Sequence, residues 1–452
     1  PPRSTLFPYT TLFRSLSELA SSNEFWVTAD TLAQHAVRKS GSTKNLPGLF
    51  VRTYLQAAFA ATNLSKTTLS KKYLAAAWDV LNLVNPMDQK MKARVMTARA
   101  RNDLLEGEAE TANTTLQAAL AIVKPFEDHD SYIIRGEIYR QLGHRDAMRD
   151  EVGPAINHYK EALMAFQLAY GRQHSTVLQA ITDLSRMLNL DQREKDAEYL
   201  LREARTSVRA SRSELPWIQA IIDVELANSM YAQNRLDEAV LYFVAAEKAL
   251  TKQYPHPRKS QIHLSVVQRL AGLYAQTGKT EQYQLMLSVA SRLAQDLVTN
   301  TNRLFQPGHI QRMQACISLS DVLRAKGAYS AAISNLQQCV RLLKPQRSTQ
   351  HMVSLARIRL AGLYIVTEDF GAAEAELSLV RKSEETSHTF HQSVWGELRS
   401  VEGWLAWQKN QTGQALLKNG FEMLLETRGI ANPVTQEALR RVQVSSKQKN
   451  LP

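Results

Sequence analysis

One spacing recurs along this chain and limits what it can fold into. A small residue in one helical stretch is followed twelve positions later by Ala in the next, as in Ala100 with Ala112, Ser185 with Ala197, Ala227 with Ala239, Ser320 with Ala332 and Ala361 with Ala373. Two further units keep the spacing with one position altered, Ala271 with Tyr283 and Gly403 with Ala415. In an eighth the separation from Gly136 to Ala155 is nineteen, which predicts an inter-helix turn lengthened by the charged stretch Arg145 to Glu151. The second-helix positions 112, 155, 197, 239, 283, 332, 373 and 415 follow one another at 41 to 49 residues, a period near 42. A bulky or apolar residue stands four after each of the first seven, usually with a small one three later, as in Leu201 with Ala204, Phe243 with Ala246 and Leu336 with Cys339. These fall on one helical face. Small residues at a crossing let two antiparallel backbones approach, and Leu, Tyr and Phe fill the volume beside it. A single pair cannot bury that face, so the pairs must stack.

Composition agrees. The 452 residues are 44 % hydrophobic and 22 % charged, with 18 Gly and 14 Pro, as expected of a helix-rich globular chain. No uncharged apolar run reaches the eighteen or so residues of a membrane helix. Only Cys316 and Cys339 are present, too few for a disulfide framework or a four-thiolate zinc site, so reduced, buried thiols and a cytoplasmic setting are expected.

The run Leu270-Ala271-Gly272-Leu273-Tyr274, followed by Gly278, and its echo Leu360-Ala361-Gly362-Leu363-Tyr364 resemble the tetratricopeptide repeat (TPR). That family's usual period is about 34 residues. The excess here is similar to the long-repeat variant of kinesin light chains and of bacterial regulators. Tyr170-Gly171-Arg172-Gln173-His174-Ser175-Thr176 is similar to that variant's inter-repeat linker, departing at Ser175 where the family commonly has Pro. The resemblance implies an all-α fold, a right-handed α-solenoid or superhelix of antiparallel TPR-like helix pairs. Residues 91–428 would hold about eight units, 16–90 degenerate N-terminal helical repeats, and 429–452 a capping helix over Pro433 to Val444 with a frayed polar end.

Residues 1–15 look like a sequencing adapter translated in frame, so the fold is expected to begin near Leu16 with the native N-terminus missing. Removing Arg3 and Arg14 takes the net charge from +12 to +10.

Motifs for chemistry are lacking. The nearest approach to a phosphate loop, Gly272 to Gly278-Lys279-Thr280, has five intervening residues instead of four and no strand before it. His388 and His391 beside Glu384 and Glu385 read as a polar connector rather than a metal site. No catalytic residue, cofactor or metal is implied, and the chain is not expected to be an enzyme.

In TPR solenoids the first helix of each pair lines the concave face, and the resemblance carries ligand contacts onto this chain position by position. One residue after the small anchor stand Arg101, Arg186, Asn228, Asp321 and Trp404, and four after it Tyr231, Arg324 and Trp407. Two before it stand Arg269 and Arg359. Arg and Asn groups suit a carboxylate or an acidic peptide, although charges on exposed helices are often only solvated, and Trp404 and Trp407 also read as packing between the last units. The expected function is a non-catalytic scaffold that binds a protein or peptide, with an alternative as the C-terminal sensor region of a truncated bacterial signalling protein carrying a Ser/Thr kinase or winged-helix domain. Diffuse basic charge and the absence of a repeated side-chain code argue against a nucleic-acid binder.

Overall fold

The computed structural model describes residues 47–447, apart from 64–65, 83–86, 211–215, 254–260, 306–309, 343–349 and 387–391. The adapter-like segment and the His388/His391 connector lie outside the described residues. Every regular element among the described residues is an α-helix, nineteen in all. The chain divides into two compact units, residues 1–148 with 153–183, and residues 149–152 with 184–452.

In the first unit, α1 (Pro47–Asn63) pairs with α2 (Thr67–Asn82), and α3 (Gln89–Leu105) with α4 (Ala109–Val123). Next come α5 (His129–Met148) and α6 (Val152–Tyr170), and α7 (Ser175–Leu190) runs across the division. The second unit continues through α8 (Glu194–Ala210), α9 (Pro216–Ala232), α10 (Leu236–Gln253), α11 (Gln261–Gln276) and α12 (Thr280–Leu304). It ends with α13 (Ile310–Ala325), α14 (Tyr329–Leu342), α15 (Gln350–Val366), α16 (Phe370–Thr386), α17 (Gln392–Asn410), α18 (Gln414–Arg428) and α19 (Pro433–Lys447).

The twelve-residue spacing has a local cause. Seven residues after the anchor the backbone turns left-handed, at Gly107, Gln192, Asn234, Gly278, Gly327 and Glu368. The next amide then donates back to the carbonyl five residues earlier: Glu108 to Asp103, Arg193 to Leu188, Arg235 to Met230, Lys279 to Tyr274, Ala328 to Leu323 and Asp369 to Tyr364, all at 2.8–2.9 Å. This closure satisfies the last carbonyls of the first helix and fixes where the second begins. The anchors Ala100, Ala112, Ala227, Ala239, Ala361 and Ala373 are all fully buried at the crossings. Gly278, the centre of the phosphate-loop-like run, is simply one of these turns.

Two units depart from the sequence-based expectation. The extra residues near 145–151 do not enlarge a turn; they prolong α5 to Met148, leaving a connection of only Arg149 to Glu151. The extension holds because Asp146 is fully buried, paired with Arg145 and with His158 Nδ1 at 2.6 Å. Gly143 and Gly136 lie under the rings of Tyr159 and Phe166, where a Cβ would meet ring carbons at 2.8 and 2.5 Å. In the last pair the crossing partner of Gly403 is Gly413, not the exposed Ala415: a Cβ on Gly413 would meet the Gly403 oxygen at 2.6 Å. Leu417, Gly420 and Leu424 then supply the buried face of α18.

Cys316 and Cys339 form a disulfide between α13 and α14 with Cα atoms 6.6 Å apart, which overturns the expectation of free thiols. The capping helix runs to Lys447, three residues past Val444, because Ser445 is buried and its carbonyl accepts from Gln414 Nε2 at 2.7 Å. Among the described residues no helix is long and apolar enough to cross a membrane, and no three His, Cys, Asp or Glu side chains gather as metal ligands.

Candidate functional site

Small anchors turned inward at the crossings leave the neighbouring positions of each first helix facing away from its partner. In the second unit these positions converge. Arg186 on α7 donates from Nε to Glu225 Oε1 at 3.0 Å, and Asn228 on α9 donates from Nδ2 to Glu225 Oε2 at 3.0 Å. Arg269 on α11 donates from one guanidinium nitrogen to Asn228 Oδ1, and weakly at 3.4 Å to the carbonyl of Ala431. Three helices of three successive repeats thus supply one chain of polar groups centred on the Glu225 carboxylate, which is only 4 % exposed.

A cavity of about 370 Å³ opens beside this chain, lined by Arg186, Asn189, Glu225, Asn228 and Arg269 and closed on another side by residues 427–432. Apolar side chains of Ile221, Val224 and Ile262 complete its wall. Its charged lining is three arginines, Arg186, Arg269 and Arg428, against the one Glu225, so it carries an excess of positive charge. Asn189 accepts from Ser229 Oγ at 2.8 Å through Oδ1, while its Nδ2 is buried with no hydrogen-bond partner. Burial pushes the Arg269 guanidinium below its usual range; Glu225 opposes this and Arg186 adds to it. A part-buried cation and an unspent amide donor beside an apolar wall suit a ligand that brings acceptor oxygens and a small apolar group.

The other expected residues have different surroundings. Tyr231 is half-buried and exchanges hydrogen bonds with Gln276, at 2.9 and 3.2 Å. Arg324 faces Glu437 at 3.8 Å, and Arg359 sits between Asp321 and Glu397, 3.3 Å from each. Burial lowers the Arg359 pKa, but Asp321, Glu397 and Glu437 together raise it above the ordinary value. Arg101 belongs to the first unit, its guanidinium 4.4 Å above the Phe59 ring. Burial and the neighbouring Arg140 lower its pKa to about 10. Trp407 is buried, Trp404 is partly buried against the apolar core of α15 to α17, and neither lines the cavity.

Glu225 is the residue that sequence reasoning passed over. It stands two before the anchor Ala227, the position Arg269 and Arg359 occupy in their own repeats, so the register alone marks it. The wall contributed by residues 427–432 carried no such signal, because it lies about 160 residues downstream of its partner Arg269.

No family model matches this chain, and no curated protein matches it. Among solved structures it is similar to the apo form of the quorum sensor NprR from B. thuringiensis, at 12 % identity and a TM-score of 0.52, covering 80 % of this chain and 97 % of that one. It is also similar to the apo form of RapI, at 10 % identity and a TM-score of 0.50, covering 88 % and 98 %. At such identities the likeness concerns the fold: the chain is a TPR-like helical-repeat protein.

Proposed function

We propose that the first-helix face of the second unit binds an extended peptide, and that the cavity at Arg186, Asn189, Glu225, Asn228 and Arg269 holds a peptide carboxylate or backbone carbonyl against Arg269 and Asn189. The observation that carries this reading is the buried Asn189 Nδ2 donor with no partner, beside the part-buried Arg269 guanidinium in a pocket with net positive lining. A buried donor without a partner costs about 1–3 kcal/mol, and a ligand oxygen that satisfies it recovers that cost on binding. Apolar contact with Ile221, Val224 and Ile262 supplies affinity, and the polar chain sets orientation.

The fold shared with a quorum sensor supports placing this groove in a sensing role. The test is binding of short peptides with free C-terminal carboxylates, compared with the same peptides amidated, by fluorescence anisotropy. Arg269→Gln is expected to weaken the carboxylate series by about tenfold and the amidated series less. Equal affinity for wild type and Arg269→Gln across both series would reject the site.

A further inference from the structure

The segment after α18 does not leave the molecule at the end of the stack. It crosses the first-helix face, and two of its contacts fall on residues expected from the sequence to touch a ligand, Arg269 and Arg324. The Ala431 carbonyl accepts from Arg269, and Gln436 accepts from Gln276 Nε2 at 3.1 Å. One residue further, the Glu437 carboxylate stands 3.8 Å from Arg324 and is flanked on its own helix by Arg440 at 2.9 Å and Arg441 at 3.5 Å. Arg359 adds its charge from α15. On the opposite side, α19 lies against α18 through the buried Thr435 and Ala438, with Thr435 Oγ1 donating to the Leu424 carbonyl at 3.3 Å. The helix is therefore held by two different surfaces, an apolar one on α18 and a charged one across the groove.

Resting on the peptide-binding reading above, we infer that residues 430–441 are an intramolecular occupant of the groove: Glu437 fills a carboxylate site made by Arg324 and Arg359, and an acidic peptide entering the groove competes with it. Charge complementarity argues for a carboxylate. When α19 withdraws, Arg440 and Arg441 leave with Glu437, and the fixed groups Arg324, Arg359 and Arg428 still outnumber the acids Asp321 and Glu397, so the site keeps an excess positive charge that favours an anion. The polar, few-atom contacts on the groove side also differ from the buried seam on α18, so the groove side gives way first.

Two measurements on the full chain test this. In hydrogen exchange, Arg324→Gln is expected to speed exchange of residues 433–447 by roughly tenfold while leaving α13 itself protected. In anisotropy titrations with fluorescein-labelled hexaglutamate, Glu437→Gln is expected to bind about five- to tenfold more tightly than wild type. Glu422→Gln makes the same change in net charge on the exposed face of α18 and is expected to bind as wild type does. Unchanged exchange in Arg324→Gln, or equal tightening by Glu437→Gln and Glu422→Gln, overturns the inference. If hexaglutamate binds wild type and Glu437→Gln equally well, the occupant is rejected while the groove stands. If it binds none of the three proteins, the groove itself falls and the occupant with it.

Discussion

Within the second unit, two stretches of the same helix face have met opposite fates. At the α7–α9–α11 end, Arg186, Asn228 and Arg269 surround one buried acid and leave a cavity open. At the α13–α15–α17 end, Arg359 stands at the repeat position of Arg269 and Arg324 at that of Tyr231, and their charges are answered by Asp321, Glu397 and Glu437. One repeat pattern therefore builds both an open, arginine-lined cavity and an ion-paired seam. What separates them is where the acids come from: one shared acid at the open end, and three at the other, one of them brought in by α19.

If the filled end is structural, disturbing it should cost stability first. Glu397 is 3 % exposed and held by Arg359 and Arg428 together. Arg359→Ala leaves that carboxylate short of a partner and Asp321 unpaired, and is expected to lower unfolding free energy by about 3–4 kcal/mol in urea denaturation. A loss below about 1 kcal/mol would erase the distinction between the two ends.

The same end is also stapled. The Cys316–Cys339 disulfide closes a loop of 23 residues in the pair that carries Arg324. Closing a loop of that size restricts the unfolded chain by roughly 3 kcal/mol at most, so a reductant or Cys339→Ser is expected to lower the melting temperature measured by calorimetry. A reductant that leaves the melting temperature unchanged would remove this asymmetry between the ends.

Acid should loosen the filled end before the open one. Burial raises the Glu437 pKa, but Arg441, Arg440 and Arg324 more than offset this and hold it at about 2, against an ordinary 4.5. A depressed carboxyl stabilises the docked form above its unfolded pKa and loses that contribution as pH falls through the folded value. The docking of α19 should therefore be complete above pH 4.5 and weaken progressively towards pH 2, by about 1–2 kcal/mol after allowing for partial exposure. Protection of residues 433–447, that is exchange corrected for the intrinsic pH dependence of the amide rate, checks the sign across that window. Protection that rises in acid would contradict it.

The sequence shows the repeat clearly because the repeat is local. A small residue, a left-handed turn seven positions on and Ala five positions after that are contained in one helix pair, and the backbone hydrogen bonds closing each turn lie within six residues. The two misread units fail for the same reason inverted: Asp146 and Gly413 decide the register through a buried ion pair and a glycine contact that periodicity cannot register. The cysteine pair was available to geometry, since Cys316 lies one turn before the anchor Ser320 and Cys339 two turns after Ala332, which antiparallel packing brings to the same level. At the site, the register named Arg186, Asn228 and Arg269 without showing that they converge. The crossing of α19 depends on how many repeats stack before the chain returns, a property of the whole second unit that no single repeat encodes.

The smallest expected effect on stability is the most informative about the open end. Arg186 is 49 % exposed and its partner Glu225 keeps the Asn228 amide when it is gone. Arg186→Ala should therefore cost less than about 1 kcal/mol of unfolding free energy. If the cavity binds peptide carboxylates, the same substitution removes a cation from its rim and should weaken such peptides by several-fold at low salt, less at high salt, where exposed charges are screened. A variant that folds as well as wild type yet loses affinity in a salt-dependent way would mark Arg186 as kept for recognition. A variant that loses stability and affinity together would instead place the open end with the filled one, as packing that happens to be charged.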